Sequence, residues 1–510
     1  MKYIVTATPP TPNGDLHVGH LSGPYLAADI FSRARKLLGD EVIYVSGSDN
    51  HQTYVVTSAA KLNTTPEQLA EENHQNILST LKKADIAIDH YGKPTPDYCD
   101  FVQTFFSQLD EKGLIKRKVY RFPVNPESGR LELEAYAQGF CPECYVETCG
   151  AICETCGHPN DPATLITSSS LNNETQEVSV AVLPLENYRE EIEQYYQSHA
   201  KSMRPHVIRF VNEMLSRPLP DFPITYPADW GISAPLAGLD KQVYNVWAEM
   251  YPALLKFIDH TNDSLDDDFS MAKGSNNQLV QFLGYDNTFY FSIVHLALSF
   301  AAGNVNSPTS IVTNEFFHLE NQKFSTSRRH LIWARDLADR CGSDNLRLGL
   351  SLNNPEHQVA NFTESEFNEV LTTQFHQPMK DIVDTLNGLS STPVSFSEHD
   401  RALFEQFAAR MERSFSKDTF SLREASHTLV NILGFIRSLT QSSHPNTAQA
   451  LLGLHYFAFY SNPIIPKLSQ QIWNDLQPNT RLSKQAIKTP SMKSVPEMRC
   501  ITSLQALLVK

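Results

Sequence analysis

The chain has 510 residues, 41% hydrophobic and 19% charged, with a formal net charge of −15. That length exceeds a single hydrophobic core, so three or four domains are expected. The acidic balance argues against a general nucleic-acid-coating protein, although short basic stretches at 116–118, at 323–335 and near the C-terminus allow a local basic face. No apolar run approaches the roughly 20 residues of a membrane span. The first strand starts near residue 3, which leaves no room for a signal or transit peptide, and cytoplasm is the expected compartment. Five of the eight cysteines fall between residues 141 and 156. That clustering points to a metal knuckle in a reducing compartment rather than to disulfides.

Tyr3-Ile4-Val5-Thr6-Ala7 is rich in β-branched residues and stopped by Pro9 and Pro10, the pattern of a short buried strand. Asn13-Gly14 supplies a tight turn. His17-Val18-Gly19-His20 follows, then a helical period (Leu21, Tyr25, Leu26, Ala28, Ile30, Phe31, Ala34, Leu37, Leu38) that predicts one helix up to Gly39. Two imidazoles therefore stand where a strand feeds a helix N-terminus, a place that favours anions. His17 and His20 can donate to phosphoryl oxygens as charge develops, and Gly19 leaves room for a phosphate or base to approach the backbone. A second strand, Val42 to Val45, ends in Ser46-Gly47-Ser48-Asp49-Asn50-His51. This ordered stretch resembles the nucleotide-binding start of class I aminoacyl-tRNA synthetases, with His17 to His20 as their HIGH signature, and it looks most like the methionyl-tRNA synthetases. The resemblance implies an α/β, Rossmann-like catalytic domain. It also implies that Asn13 and Gly19 bind ATP and that Asp49 holds a substrate ammonium.

Helices are predicted over 53–62, 67–84 and 101–112, the second opened by Thr65 as cap with Pro66 at its first position. Strands alternating with helices imply a parallel sheet whose ligand lies at the strand C-termini. The alternation breaks near Lys116, and 116–221 reads as an insertion of short strands and turns. Cys141-Pro-Glu-Cys144 and Cys153-Glu-Thr-Cys156 are two Cys-x-x-Cys knuckles, each able to chelate one edge of a zinc ion. Four thiolates leave no open coordination position, so the metal site is structural. Cys149 is surplus, either a substitute ligand or a buried thiol. The methionyl-tRNA synthetases carry such a knuckle in a connective insertion, between the two halves of the nucleotide-binding fold.

The nucleotide fold resumes near Pro223. By resemblance Trp247 walls the methionine side chain, as a flat aromatic suits a polarisable thioether. Gly284 and Asp286, ending a strand, would meet the adenosine ribose. Three departures surround this pocket. Tyr285 stands where the family usually has lysine, and Phe291 where it has a histidine bordering methionine. Pro9-Pro10 lies in a segment one residue longer than the family's Leu-Pro-Tyr. Lys323-Phe324-Ser325-Thr326-Ser327 resembles the second class I signature, KMSKS. Lys323, Ser325 and Ser327 match, and Thr326 replaces the second lysine, with Arg328 and Arg329 next in sequence. By resemblance this loop neutralises the transferring phosphates.

From about residue 334 the pattern is helical: 334–341, 344–350, then long periods at 364–389, 398–413, 422–440 and 447–476, with a capping box from Thr363 to Glu366. An α-helical bundle stands where the methionyl family keeps its anticodon-reading bundle, although the family's anticodon-reading Asn and Arg positions hold Asp381 and Thr385. The expected layout is a first catalytic half (1–115), the connective insertion (116–221), a second catalytic half (222–333), a linking helical segment (334–365) and the bundle (366–510). The resemblance covers nearly the whole chain. It implies ATP-dependent activation of an amino acid, methionine above all, and transfer to the 3′ end of tRNA, with Mg2+ entering alongside ATP, zinc in the knuckle and no membrane partner. The departures leave open a paralogue with a non-translational acceptor, or a catalytically silent tRNA-binding regulator.

Overall fold

The structure, a computed structural model, describes residues 1–161, 164–166, 174–324, 330–488 and 494–500. The chain divides into two compact units, interleaved in sequence: 1–15, 43–78 and 88–313 form one, and 16–42, 79–87 and 314–510 the other. Among the described residues no helix is long and apolar enough to cross a membrane.

The first unit is built on a five-stranded sheet in the order Ser310–Asn314, Gln278–Gly284, Lys2–Ala7, Glu41–Gly47, His90–Gly92. Lys2–Ala7 runs parallel to Gln278–Gly284, Tyr3 opposite Gln278, and Glu41–Gly47 runs parallel to His90–Gly92, Val45 opposite His90. Strands of a parallel sheet are covered on both faces and so read as near-continuous apolar runs. Ile4, Ile43, Val45, Leu279 and Leu283 are buried in one cluster with Val102 and Phe106 of helix Pro96–Glu111 and Phe257 of helix Val246–Leu265. Lys2–Ala7 is central and the chain winds to either side of it. That makes the carboxyl ends of the central strands the switch point where ligands bind in open α/β sheets.

The stretch 116–221 holds the expected short strands and turns and, beyond that expectation, two helices. Lys116–Pro123 and Thr175–Pro184 pair antiparallel and Asp221–Pro223 adds a third strand, while a separate hairpin of Glu134–Phe140 and Glu147–Gly150 carries the cysteines. Helices Arg189–His199 and Pro205–Leu215 also lie in this stretch. The second opens on Pro at its first turn, where a missing N–H costs nothing.

In the second unit the predicted single helix after His20 is interrupted. Val18–His20 is one helical turn, Leu21–Tyr25 is a wide turn with Gly23 at φ −83, ψ −120, and the regular helix is Leu26–Leu37. Pro24 causes this, because a proline ring pushes the preceding residue out of the α region. Helix Ala334–Cys341 has the predicted bounds. The bundle contains Glu398–Ser414, Leu422–Gln441 and Thr447–Ser461, capped by Ser397, Ser421 and Asn446 side chains. The predicted 447–476 helix is two, breaking between Ser461 and Pro466, where Pro463 and Pro466 deny helical N–H donors.

Candidate active site

Asn13, Asp49, Trp247, Gly284, Asp286, Phe291 and the four knuckle cysteines belong to the first unit, and His17, Gly19, His20 and Lys323 to the second. Ser325, Thr326 and Ser327 lie outside the described residues.

In the second unit His17 is the N-cap of its short helix and the two imidazoles form a reciprocal capping box. The His20 N–H donates to His17 Nδ1 at 3.2 Å and the His17 N–H to His20 Nδ1 at 3.4 Å. Both Nδ1 atoms thus accept, which fixes the tautomer and leaves each Nε2 as the N–H donor. The rings stack 3.6 Å apart, 15° from parallel. Burial and then the neighbouring His20 hold His17 well below the usual imidazole range. His20 is exposed at the surface, yet the surrounding protein desolvates its ring and pulls it down to about 4. Both rings are therefore neutral donors at neutral pH. An antiparallel stitch fixes this turn: the Val18 N–H donates to Ile332 C=O at 2.9 Å and the Ala334 N–H to Leu16 C=O at 3.0 Å. Phe324 stacks on His17 at 4.7 Å, which sets the residue after Lys323 against the histidine pair. A Cβ on Gly19 would meet Phe324 Cδ2 at 2.9 Å and His17 Cε1 at 3.0 Å. The structure thus gives Gly19 a second reason besides ligand approach: the three-ring stack needs it. Lys323 pairs with His318 across a short hairpin and its Nζ lies 5.0 Å from the Phe316 ring centroid.

In the first unit the expected residues follow the ends of sheet strands. Gly284 closes strand Gln278–Gly284, Asp286 sits in the next turn and accepts from Asn287 Nδ2 at 3.0 Å. Asn13, exposed, follows the proline turn, whose Pro12 carbonyl accepts from Asn73 Nδ2 at 3.2 Å. Asp49 lies just beyond strand Glu41–Gly47 and its N–H donates to the Pro10 carbonyl. The carboxylate does not cap the next helix, whose N-cap is Gln52. It is buried, Oδ1 has no hydrogen-bond partner, and burial, with nearby Glu249 and Glu134 adding, raises it well above the usual carboxylate range. A buried carboxylate with an orphan oxygen is suited to a cation. His51, next but one, pairs with Glu249 at 2.8 Å, and the Tyr98 hydroxyl donates to the same carboxylate at 2.7 Å.

Trp247 is half-buried at the start of helix Val246–Leu265, its N–H held by the Asn245 side chain at 3.1 Å. Its indole stacks on Tyr290, and its carbonyl is bonded by His295 Nε2 at 2.8 Å. Phe291 is buried, 4.5 Å from the His295 ring and one helical turn before it. Tyr285 turns inward against His206 and Phe210.

The Sγ atoms of Cys141, Cys144, Cys153 and Cys156 lie within 4.8 Å of one another, Cys141 and Cys156 at 3.7 Å, Cys144 and Cys153 at 3.5 Å. A tetrahedron with metal–sulfur bonds of about 2.3 Å has edges of about 3.8 Å, so the four thiols fit a zinc-type site. Cys149 is not among them; its thiol sits beside the Tyr54 hydroxyl.

Sequence reasoning missed Glu134, Glu249, Tyr290 and Phe324 as parts of these arrangements. Only Phe324, inside the Lys323–Ser327 stretch, lay in a motif already singled out.

Comparison with known proteins agrees with the fold. A methionine--tRNA ligase of Chlorobaculum tepidum is 26% identical over 93% of this chain and 73% of its own. One of Dehalococcoides mccartyi (strain CBDB1) is 33% identical over 70% of this chain and 66% of its own. Relatives of this name are covered over 58% to 73% of their length. The solved structure of Mycobacterium tuberculosis methionyl-tRNA synthetase in complex with methionyl-adenylate superposes with a TM-score of 0.77 at 18% identity, covering 97% of this chain and 98% of that one. The family model described as tRNA synthetases class I (M) matches residues 3–385. The chain belongs to that family, the class I tRNA synthetases of the M type.

Proposed function

We propose that this chain activates methionine with ATP and passes the methionyl group to the 3′ end of tRNA. The observation that carries the reading is the histidine pair: two neutral imidazoles, each with Nδ1 committed and Nε2–H left to donate. In the first step a methionine carboxylate oxygen attacks the α-phosphorus, the bond to the bridging oxygen breaks, and pyrophosphate leaves. In the second a hydroxyl of the terminal adenosine attacks the activated carbonyl and AMP leaves. Such chemistry rests on positioning and charge stabilisation. His17 and His20 would donate to the pentavalent phosphate, and Lys323 would neutralise the departing pyrophosphate. Asp49 would take the α-ammonium, Trp247 and Phe291 would flank the side chain, and Asn13, Gly19, Gly284, Asp286, Ser325 and Ser327 would hold ATP with its Mg2+. Cys141, Cys144, Cys153 and Cys156 would hold one structural zinc. Neutral donors suit this task, since they gain strength as the phosphate gains charge and pay little desolvation beforehand.

A second reading keeps the activation and changes the acceptor. It is favoured by Asp381, whose carboxylate pairs with Arg437 at 2.5 Å and accepts from Gln377 at 2.7 Å. An anionic, locally satisfied residue then stands where the family's reader meets nucleic acid.

The test is ATP–pyrophosphate exchange with each of the twenty amino acids, followed by transfer to tRNA. Exchange with methionine alone is expected, with His17→Ala lowering kcat about 10²–10³-fold while methionine binding is kept. Exchange with a different amino acid, or with none, would overturn the reading; methionine exchange without tRNA charging would select the second.

A further inference from the structure

Trp247 and Tyr290 lie face to face, ring centroids 3.9 Å apart and 12° from parallel. Aromatic stacking contributes only about 0.5–1.5 kcal/mol beyond burial, too little to hold two rings in one pose beside a ligand site. Each ring has a polar tip, and both tips meet the cysteine-bearing hairpin. The Tyr290 hydroxyl donates to the Ala151 carbonyl at 3.0 Å, two residues before Cys153. The Trp247 indole N–H lies beside the Glu134 carboxyl, short of a formed hydrogen bond: Trp247 Nε1 and Glu134 Oε1 are both buried and neither has a partner.

Glu134 is placed with unusual care. It is 3% exposed and opens strand Glu134–Phe140, which runs directly into Cys141. Its Oε2 accepts from the Thr53 hydroxyl at 3.1 Å, and that hydroxyl accepts from the Ala135 N–H at 3.1 Å. The backbone at Glu134 has φ +39, a left-handed conformation costing on the order of 1–3 kcal/mol for a residue with a side chain. Thr53 satisfies one oxygen; the other is unpaired beside an indole N–H that is itself unpaired.

We propose that Glu134 and the Tyr290 hydroxyl are two tethers through which the cysteine-bearing hairpin positions the Trp247 wall, making that hairpin a specificity element for the amino-acid side chain. Both are positioning residues, since they act through the aromatic pair. Free of its tethers, the wall would still be apolar but no longer fixed in shape, and a pocket of variable shape loses the ~1–3 kcal/mol by which it measures one methylene. The Tyr290 tether stands on its hydrogen bond and the Glu134 tether on two buried, mutually unsatisfied groups, while the specificity consequence rests on the methionine reading above.

The experiment compares Glu134→Ala, Tyr290→Phe and Glu134→Gln with the unaltered chain, using Trp247→Phe to identify the near-ultraviolet circular dichroism of the stacked pair. Glu134→Ala and Tyr290→Phe should each lose that band. Each should also raise the methionine KM about tenfold, the scale of one buried hydrogen bond, with the ATP KM unchanged. Glu134→Gln, which keeps an acceptor, should restore most of both. An intact band in Glu134→Ala and Tyr290→Phe would overturn the tethers, as would equal rises in the two KM values. If Glu134→Ala does not fold, Tyr290→Phe, which removes a single oxygen, decides. Absence of methionine exchange in the unaltered chain would sink the functional reading, while the band would still decide the tethers.

Discussion

Arg347 has no exposed side-chain surface, and its guanidinium is saturated within the helical unit. Nη2 pairs with Asp29 at 2.6 Å and donates to Pro463 C=O at 2.7 Å, Nε donates to Ile464 C=O, and Nη1 to Asp85 C=O, each at 2.8 Å. Asp29, equally buried, also accepts from Arg33 Nε at 2.9 Å and from the Ala87 N–H at 2.7 Å. Only a planar fork reaches a carboxylate and three carbonyls at once. Arg347→Met should therefore cost about 3–5 kcal/mol, because it takes one of two guanidinium partners from a buried carboxylate and leaves three buried carbonyls unbonded. Arg347→Lys should recover only part of that. Urea unfolding measures both; a loss below about 1 kcal/mol for the methionine variant would mean that this network behaves like an exposed ion pair.

Helix geometry decides the sign of a glycine substitution, and two glycines of the helical unit make opposite cases. Gly434, in the interior of Leu422–Gln441, has nothing within 4 Å of where a Cβ would stand. Gly349, in Ser343–Leu352, would place its Cβ 2.2 Å from Phe367 Cε2. Gly434→Ala should stabilise by about 0.5–1 kcal/mol through helix propensity. Gly349→Ala should destabilise by about 1–3 kcal/mol through overpacking. Thermal unfolding of the two variants checks the pair, and equal signs would refute the argument. The same contrast separates what the sequence could disclose from what it could not. Helix 53–62, strand Lys2–Ala7 and the capped bundle helices were readable from local periodicity and caps, because neighbours along the chain determine them. The interruption at Gly23-Pro24 and the break before Pro466 were written in prolines that the apolar period masked. His17, His20 and the four cysteines could be nominated because their spacing is local. Glu134 and Glu249 could not: their partners Thr53 and His51 stand 81 and 198 residues away, and only tertiary packing joins them. The Nδ1 commitments of the histidine pair were equally invisible, since a tautomer follows from geometry rather than from spacing.

Across the whole molecule, buried imidazoles set the response to acid. Burial pulls His295, His376 and His455 each down to about 4, against an ordinary value near 6.5. A base with a depressed native pKa contributes stability that is present above its unfolded pKa and lost as pH falls through the native one. Burial pushes Glu134 up to about 7, which works the other way: its contribution is present below the unfolded value and lost as pH rises through about 7. With His17 and His20 the depressed histidines outweigh the raised carboxyls Glu134 and Asp49, so unfolding free energy should fall by about 2–4 kcal/mol per pH unit near pH 5. Urea melts at pH 7.5, 6 and 5 test this, and a flat profile would contradict it. The interleaving of the two units carries a further consequence, for synthesis. Strand Lys2–Ala7 leaves the ribosome long before Gln278–Gly284, the strand it lies beside. At roughly 5–20 residues per second the wait is on the order of tens of seconds, during which Ile4 and Val5 and one strand edge have no cover. That edge is a template for wrong pairing, so nascent chains halted before residue 284 are the form of this protein most in need of a chaperone.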